Sequence, residues 1–230
     1  MTSPAPFGFF ITGTDTDSGK TFISRLLADT FTEARRVTYL KPVQTGCFRD
    51  KHGNFRAPDF EYLLHGNISL TSTYKNHVPY MFEPACSPHL AARIAGEKIS
   101  LEKIKNCFEK VSCNRTVLTI VEGAGGAIVP VSKSEFMTDI MLRLDLPVII
   151  VTSPGLGTIN HTMLTIEALK RRSIPVAALI MNNHENLPED FILDDNRAYL
   201  KNAIAPASFM YVPFNGSVDN TTRTFCNELI

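Results

Sequence analysis

The stretch from Phe7 to Thr32 constrains the chain more than any other. Phe7-Gly8-Phe9-Phe10-Ile11-Thr12 is too short and apolar for a helix and is closed by Gly13, so it predicts a buried strand. A helical pattern follows from Lys20 to about Thr32. Between the two lies Gly13-Thr14-Asp15-Thr16-Asp17-Ser18-Gly19-Lys20-Thr21. A loop of this kind, set between a strand and a helix and ending in Gly-Lys-Thr, surrounds phosphate oxygens with backbone N–H groups at the helix N-terminus. Lys20 adds a point charge, and Thr21 supplies a hydroxyl for magnesium. The loop is a variant, because Thr14 occupies the place of the usual first glycine and Gly13 stands one residue earlier. An ordinary strand-to-helix turn is the alternative, and the register of strand, loop and helix with Gly-Lys-Thr argues against it.

Similar short apolar runs recur at Val37 to Leu40, Val117 to Val121, Val148 to Val151, Val176 to Ile180 and Phe209 to Val212. Helix-compatible stretches at about 87–96, 100–112, 134–144, 158–172 and 189–203 mostly separate them, with Pro88 near one start and Pro147 and Pro175 after two stops. This alternation predicts an α/β fold with a mostly parallel central sheet flanked by helices on both faces, and the Gly13 to Thr21 loop makes it one of the P-loop NTPase type. With 230 residues, 44% hydrophobic and 20% charged, a single domain spanning residues 1–230 is expected to fold around a substantial core. The segment from Pro42 to Pro58, rich in Gly, Pro and charge, is expected to be a long loop covering a site.

The 23 Lys and Arg residues balance 23 Asp and Glu, so no net positive field attracts nucleic acid or an anionic membrane. The run Leu146 to Val151 is far too short to cross a bilayer, and residues 1–24 contain no Arg and no cleavage-type region. The expected location is cytoplasmic. Cys47, Cys86, Cys107, Cys113 and Cys226 are scattered, odd in number and without a C-x-x-C pair, and read as reduced thiols. The sequons at Asn67, Asn114, Asn215 and Asn220 then carry no weight.

In open parallel sheets ligands gather at the carboxyl ends of the strands, which directs attention to the loops there. Lys41 ends the second strand and points toward the phosphate loop, with a solvated surface lysine as the alternative. Glu122 ends a buried strand before a flexible small-residue loop, Gly123 to Gly126; it can hold magnesium, or merely pair with a lysine. Asp59, after Pro58 at a helix start, reads on position alone as an N-cap. The loop from Thr152 to Thr162 carries Gly155 and Gly157 into a helix and offers a second anion site, suited to a carboxylate. His161 there is more readily structural than catalytic. Asn182, Asn183 and the Val212-Pro213 pair close the last strands, where amide and backbone groups can meet an adenine edge.

Five segments, Gly13 to Thr21, Lys41 to Gly46, Ser87 to Ala92, Val121 to Gly126 and Gly155 to Thr162, together resemble the dethiobiotin synthetase family nearly end to end. The resemblance implies an ATP- and Mg2+-dependent enzyme in which 7,8-diaminononanoate takes up carbon dioxide as a carbamate. The carbamate is phosphorylated by ATP and captured by the second amine to close a cyclic urea. It also implies roles for individual residues. Gly13, Thr14, Asp15, Thr16, Asp17, Ser18, Gly19 and Lys20 would surround the ATP phosphates, and Thr21, Asp59 and Glu122 would form the magnesium shell. Lys41, Lys20 and Thr16 would serve the chemistry. Thr45 would lie near the diamine, and Asn182 and Pro213 would contact adenine. Gly125, Gly155, Leu156, Gly157, Asn160 and Tyr199 would bind substrate, in a homodimer whose pocket borrows residues across its interface. Asp17 stands where the family more often has Glu, and residues 47–58 align with nothing anchored. The alternative from another class is a nucleotide-dependent switch of the partitioning and cell-division type, acting on protein partners. Those ATPases carry a signature lysine early in the loop, where this chain has Asp15.

Overall fold

In the computed structural model, which describes residues 7–113 and 116–230, the six expected long strands form and join one sheet. They are β1 (Gly8–Gly13), β2 (Val37–Leu40), β7 (Leu118–Gly126), β8 (Val148–Thr152), β9 (Val176–Asn182) and β10 (Ser208–Val212). The order is β10-β9-β8-β1-β7-β2, and every pairing is parallel. The sequon at Asn114 lies outside the described residues.

Strand alternation explains why both faces are covered. In β1, Phe9 and Ile11 join one hydrophobic cluster and Phe10 the other. The Phe9 side is packed by α1 (Lys20–Thr32), α2 (Pro58–Leu64) and α9 (Asn220–Glu228), through Leu27, Phe60 and Phe225 among others. The opposite side takes α4 (Pro88–Ile94), α5 (Leu101–Val111), α6 (Met137–Leu144), α7 (Thr158–Arg171) and α8 (Phe191–Ile204), through Ala91, Ile104, Ile140, Ile166 and Leu200. No helix among the described residues is long and apolar enough to cross a membrane.

The register places the site. Ile11 pairs with Glu122 and Leu40 with Val121, so the carboxyl ends of β1, β7 and β2 bring Gly13, Glu122 and Lys41 to one edge.

Three expectations change. Gly123 to Gly126 is not a loop: β7 runs through it, between β1 and β2, and a Cβ at Gly123 would press on the Phe10 ring at 2.9 Å. The segment after Lys41 is not irregular throughout. It contains β3 (Val43–Gln44), which pairs with β6 (Tyr80–Met81), and the antiparallel hairpin of β4 (Phe48–Arg49) and β5 (Phe55–Arg56). Asp50 pins that hairpin by accepting from the backbone of His52 and Asn54 and from Arg56 Nε, each at 2.9 Å. Two helices went unanticipated: α3 (Tyr74–His77), a single turn, and α9, whose start is polar and is set by a capping box between Asp219 and Thr222.

Candidate active site

Gly13 ends β1 at the centre of the phosphate loop, and a Cβ there would collide with Ser18 Oγ and the Asp15 carbonyl. The loop therefore wraps around a missing side chain. Gly19 closes the loop at the N-cap of α1 with φ 82°, and a Cβ there would run into Asn182. Buried Asn182, at the end of β9, donates from Nδ2 to the Ser18 carbonyl at 3.3 Å and roofs the turn. Lys20 is buried and donates to the carbonyls of Asp15 (2.8 Å) and Thr16 (2.6 Å). Burial and the nearby Lys41 charge lower its pKa to about 8, against the pull of Glu122 and Asp59.

Beside it, Thr21 Oγ1 donates to Glu122 Oε1 at 2.8 Å and Tyr39 donates to Oε2 at 2.9 Å. Lys41 Nζ contacts Glu122 Oε1 at 2.7 Å, Asp59 Oδ2 at 2.5 Å and the Gly123 carbonyl at 3.1 Å. Burial opposes the Lys41 charge, but Glu122 and Asp59 outweigh it and hold the ammonium above its usual range. Burial likewise opposes ionisation of Asp59, and Lys41 overrides it to keep the carboxyl below the usual range.

Lys41 is thus no surface lysine. Asp59 is no N-cap, because Ala57 holds that place in α2 and the Asp59 carboxylate turns to Lys41. The lysine pairing weighed for Glu122 does occur. It leaves two carboxylates and a hydroxyl converging beside Lys20, hard oxygen donors suited to Mg2+. Such a set is too few for a full shell, as expected where the ion is shared with nucleotide phosphates.

A cleft of about 420 Å³ opens over this cluster, lined by Thr16, Asp17, Gly19, Lys20, Thr21, Lys41, Asp59 and Glu122, with Thr45 and Gly125 at its sides. Gln44 and His184 line it too and were not anticipated, although one lies in the Lys41 to Gly46 segment and the other directly follows Asn182-Asn183 at a strand end. Tyr39 was also missed. Its spacing of two from Lys41 on a strand was the available signal.

Thr14 and Asp15 face a neighbouring cavity of about 380 Å³, with Thr16 at the boundary and exposed His161 on the far wall. Gly155, Leu156, Gly157, Asn160, Tyr199 and Pro213 line neither space. The Thr152 to Thr158 turn stands back to back with the phosphate loop, joined through hydroxyl contacts of Thr152 with Thr14 (3.1 Å), Thr158 (2.9 Å) and Thr162 (3.0 Å). Leu156 at its tip is 100% exposed, and Tyr199 on α8 is half-exposed. Within one chain, this turn does not meet the cleft.

A lysine-bearing loop at the carboxyl edge of an all-parallel sheet, facing an acidic strand end, is the arrangement of the P-loop nucleotide-binding class, and the chain is of that class. The family described as an AAA domain matches residues 8–222. The ATP-dependent dethiobiotin synthetase of Clostridium perfringens is 35% identical over 97% of each chain. That of Fusobacterium nucleatum is 37% identical over 82% of this chain and 83% of its own. A plasmid partition protein from Borrelia burgdorferi superposes with a TM-score of 0.59 at 13% identity, over 98% of this chain and 97% of its own, a likeness of fold alone. The chain belongs to the dethiobiotin synthetase family, ATP-dependent ligases that form carbon–nitrogen bonds.

Proposed function

We propose that the chain converts 7,8-diaminononanoate and carbon dioxide to dethiobiotin, with release of ADP and phosphate. One amine takes up carbon dioxide as a carbamate, whose oxygen attacks the ATP γ-phosphate to form a carbamic–phosphoric anhydride. The second amine captures the anhydride carbon, expels phosphate and closes the urea ring. The observation that carries this reading is Lys41, a buried and firmly charged ammonium within one cleft of Lys20, Thr21, Asp59 and Glu122.

Lys20 and the loop amides from Gly13 to Gly19 would hold the phosphates, with the Lys20 ammonium leaving its loop carbonyls for phosphate oxygen. Lys41 would neutralise the carbamate and the transferring phosphoryl group, where a fixed charge stabilises the transition state more than the ground state. Thr21, Asp59 and Glu122 would hold Mg2+, which when bound offsets phosphate charge. Thr16 would face the γ-phosphate, and Thr45 and Gly125 the diamine, each from the cleft wall. Asn182 and Pro213 would border adenine.

Gly155, Leu156, Gly157, Asn160 and Tyr199 would serve the substrate from a second copy in a homodimer, a role that suits a turn outside its own chain's cleft with a fully exposed leucine at its tip. The activity would reside in one domain spanning residues 1–230, in the cytoplasm, without nucleic acid or membrane partners. ADP release measured with and without the diamine under carbon dioxide tests the reading. Turnover that ignores the diamine and answers instead to a protein partner would return the chain to the partitioning-type switch.

A further inference from the structure

Glu122 offers two carboxylate oxygens, and they are used differently. Oε1 meets Thr21 and Lys41, the groups of the cleft, whereas Oε2 accepts, among the described residues, only the Tyr39 hydroxyl at 2.9 Å. Tyr39 and Lys41 lie two residues apart, so alternation along β2 and just beyond its end sends both to the same carboxylate. Tyr39 is wholly buried. Its ring is parallel to Phe60, with centroids 6.0 Å apart and 8° between planes, and Phe60 is in turn stacked on buried His77 at 5.1 Å. Phe60 directly follows Asp59 in α2. One side chain therefore touches both carboxylate-bearing elements: its hydroxyl holds Glu122, and its ring supports the helix that presents Asp59.

We propose that Tyr39 is a positioning residue that fixes the two carboxylates of the metal site relative to each other. This rests on Thr21, Asp59 and Glu122 holding the divalent ion. Without the phenol, Glu122 is held at Oε1 alone, by Thr21 and Lys41, and its buried Oε2 loses the donor that sets the carboxylate's tilt. Partners of this outer kind typically govern metal affinity by tenfold or more.

Binding of Mn2+ to the 230-residue chain carrying ADP, followed through the paramagnetic resonance signal of the free ion, tests this without turnover. Wild type and Glu122→Gln set the frame: equal Mn2+ affinity in those two would bring down the metal assignment, and the inference with it. With Glu122→Gln impaired, Tyr39→Phe is expected to weaken Mn2+ about tenfold, while ADP binding in chelator stays within about twofold. Wild-type Mn2+ affinity in Tyr39→Phe would overturn the inference alone. The double variant separates positioning from general damage, since Tyr39→Phe added to Glu122→Gln should change Mn2+ affinity less than about twofold. A further full tenfold loss would mean that Tyr39 does not act through Glu122. Tyr39→Leu, which also removes the stack on Phe60, should weaken Mn2+ severalfold beyond Tyr39→Phe. Equal losses would overturn the role assigned to the ring.

Discussion

The β1–α1 and β8–α7 turns are built alike and serve differently. Each leaves a buried strand, passes through small residues and enters a helix at a left-handed glycine, Gly19 at φ 82° or Gly157 at φ 91°, with no side-chain cap. Each exposes helix-terminal amides that favour an anion. The first carries Lys20, is roofed by Asn182 and faces the charged ends of β2 and β7. The second has no charged residue from Gly155 to Thr158 and ends in a bare Leu156. Local sequence makes a helix N-terminus, but sheet order decides what stands around it. The inner turn is completed within its own chain, and the outer one is completed, on the proposed function, by a second copy.

The contrast breaks outright if the inner turn is dispensable. Lys20→Ala is expected to abolish turnover, because the backbone nest cannot replace the charge; near-normal ATP-dependent activity would remove the basis for treating the two turns differently. Lys41→Gln should still bind ATP yet lose about two decades or more of turnover, the scale for one transition-state electrostatic donor. It also leaves Asp59 and Glu122 facing each other without their shared cation, so its melting temperature should fall and Mg2+ should restore part of the loss. Full turnover in Lys41→Gln would show that its buried ion pairs are architecture only.

Much of the inner site was legible because it is written in contiguous segments. Gly13 to Thr21 is one uninterrupted strand–loop–helix signal, and Lys41 and Glu122 each end an apolar run. Asp59 was less so, since position alone made it an N-cap, and only the tertiary approach of Lys41 shows where its carboxylate goes. Tyr39 and His184 have only a weak local signal, a spacing of two from Lys41 and a place just after a strand end; strand order and a turn folding back are what bring them to Glu122 and to the cleft. The Gly123 to Gly126 stretch misled because small residues signal loops by propensity, yet here they permit close packing inside the sheet, a choice made by Phe10 on the neighbouring strand. The roles of Gly155 to Asn160 are the hardest to read, since the groups that would complete them lie on another molecule.

Substrate binding at the outer turn should show an effect of intermediate size. If helix-terminal amides near Gly157 and Thr158 take the substrate carboxylate across a dimer, the amide analogue of the diamino acid should bind about tenfold to a hundredfold more weakly, as expected for one charge-assisted contact. Dilution below the dimer constant should weaken the acid while sparing ATP. Titration calorimetry reads both effects, and equal affinities for acid and amide would detach the outer turn from the substrate.

The smallest expected effects come from the two glycines themselves. An alanine at either position must adopt a left-handed backbone, at a cost of about 1 kcal/mol. At Gly157 that is nearly all, since a Cβ there meets only His161 Cε1 at an ordinary 3.7 Å. At Gly19 the new Cβ also runs into Asn182, so the roof must lift and the Ser18 contact must go. Urea unfolding should therefore show Gly157→Ala destabilised by about 1 kcal/mol, with ATP affinity intact. Gly19→Ala should lose more stability and nucleotide affinity together. Equal stability losses with equal ATP binding would show that Asn182 does not clamp the inner turn, and would place the difference between the turns in their charges alone.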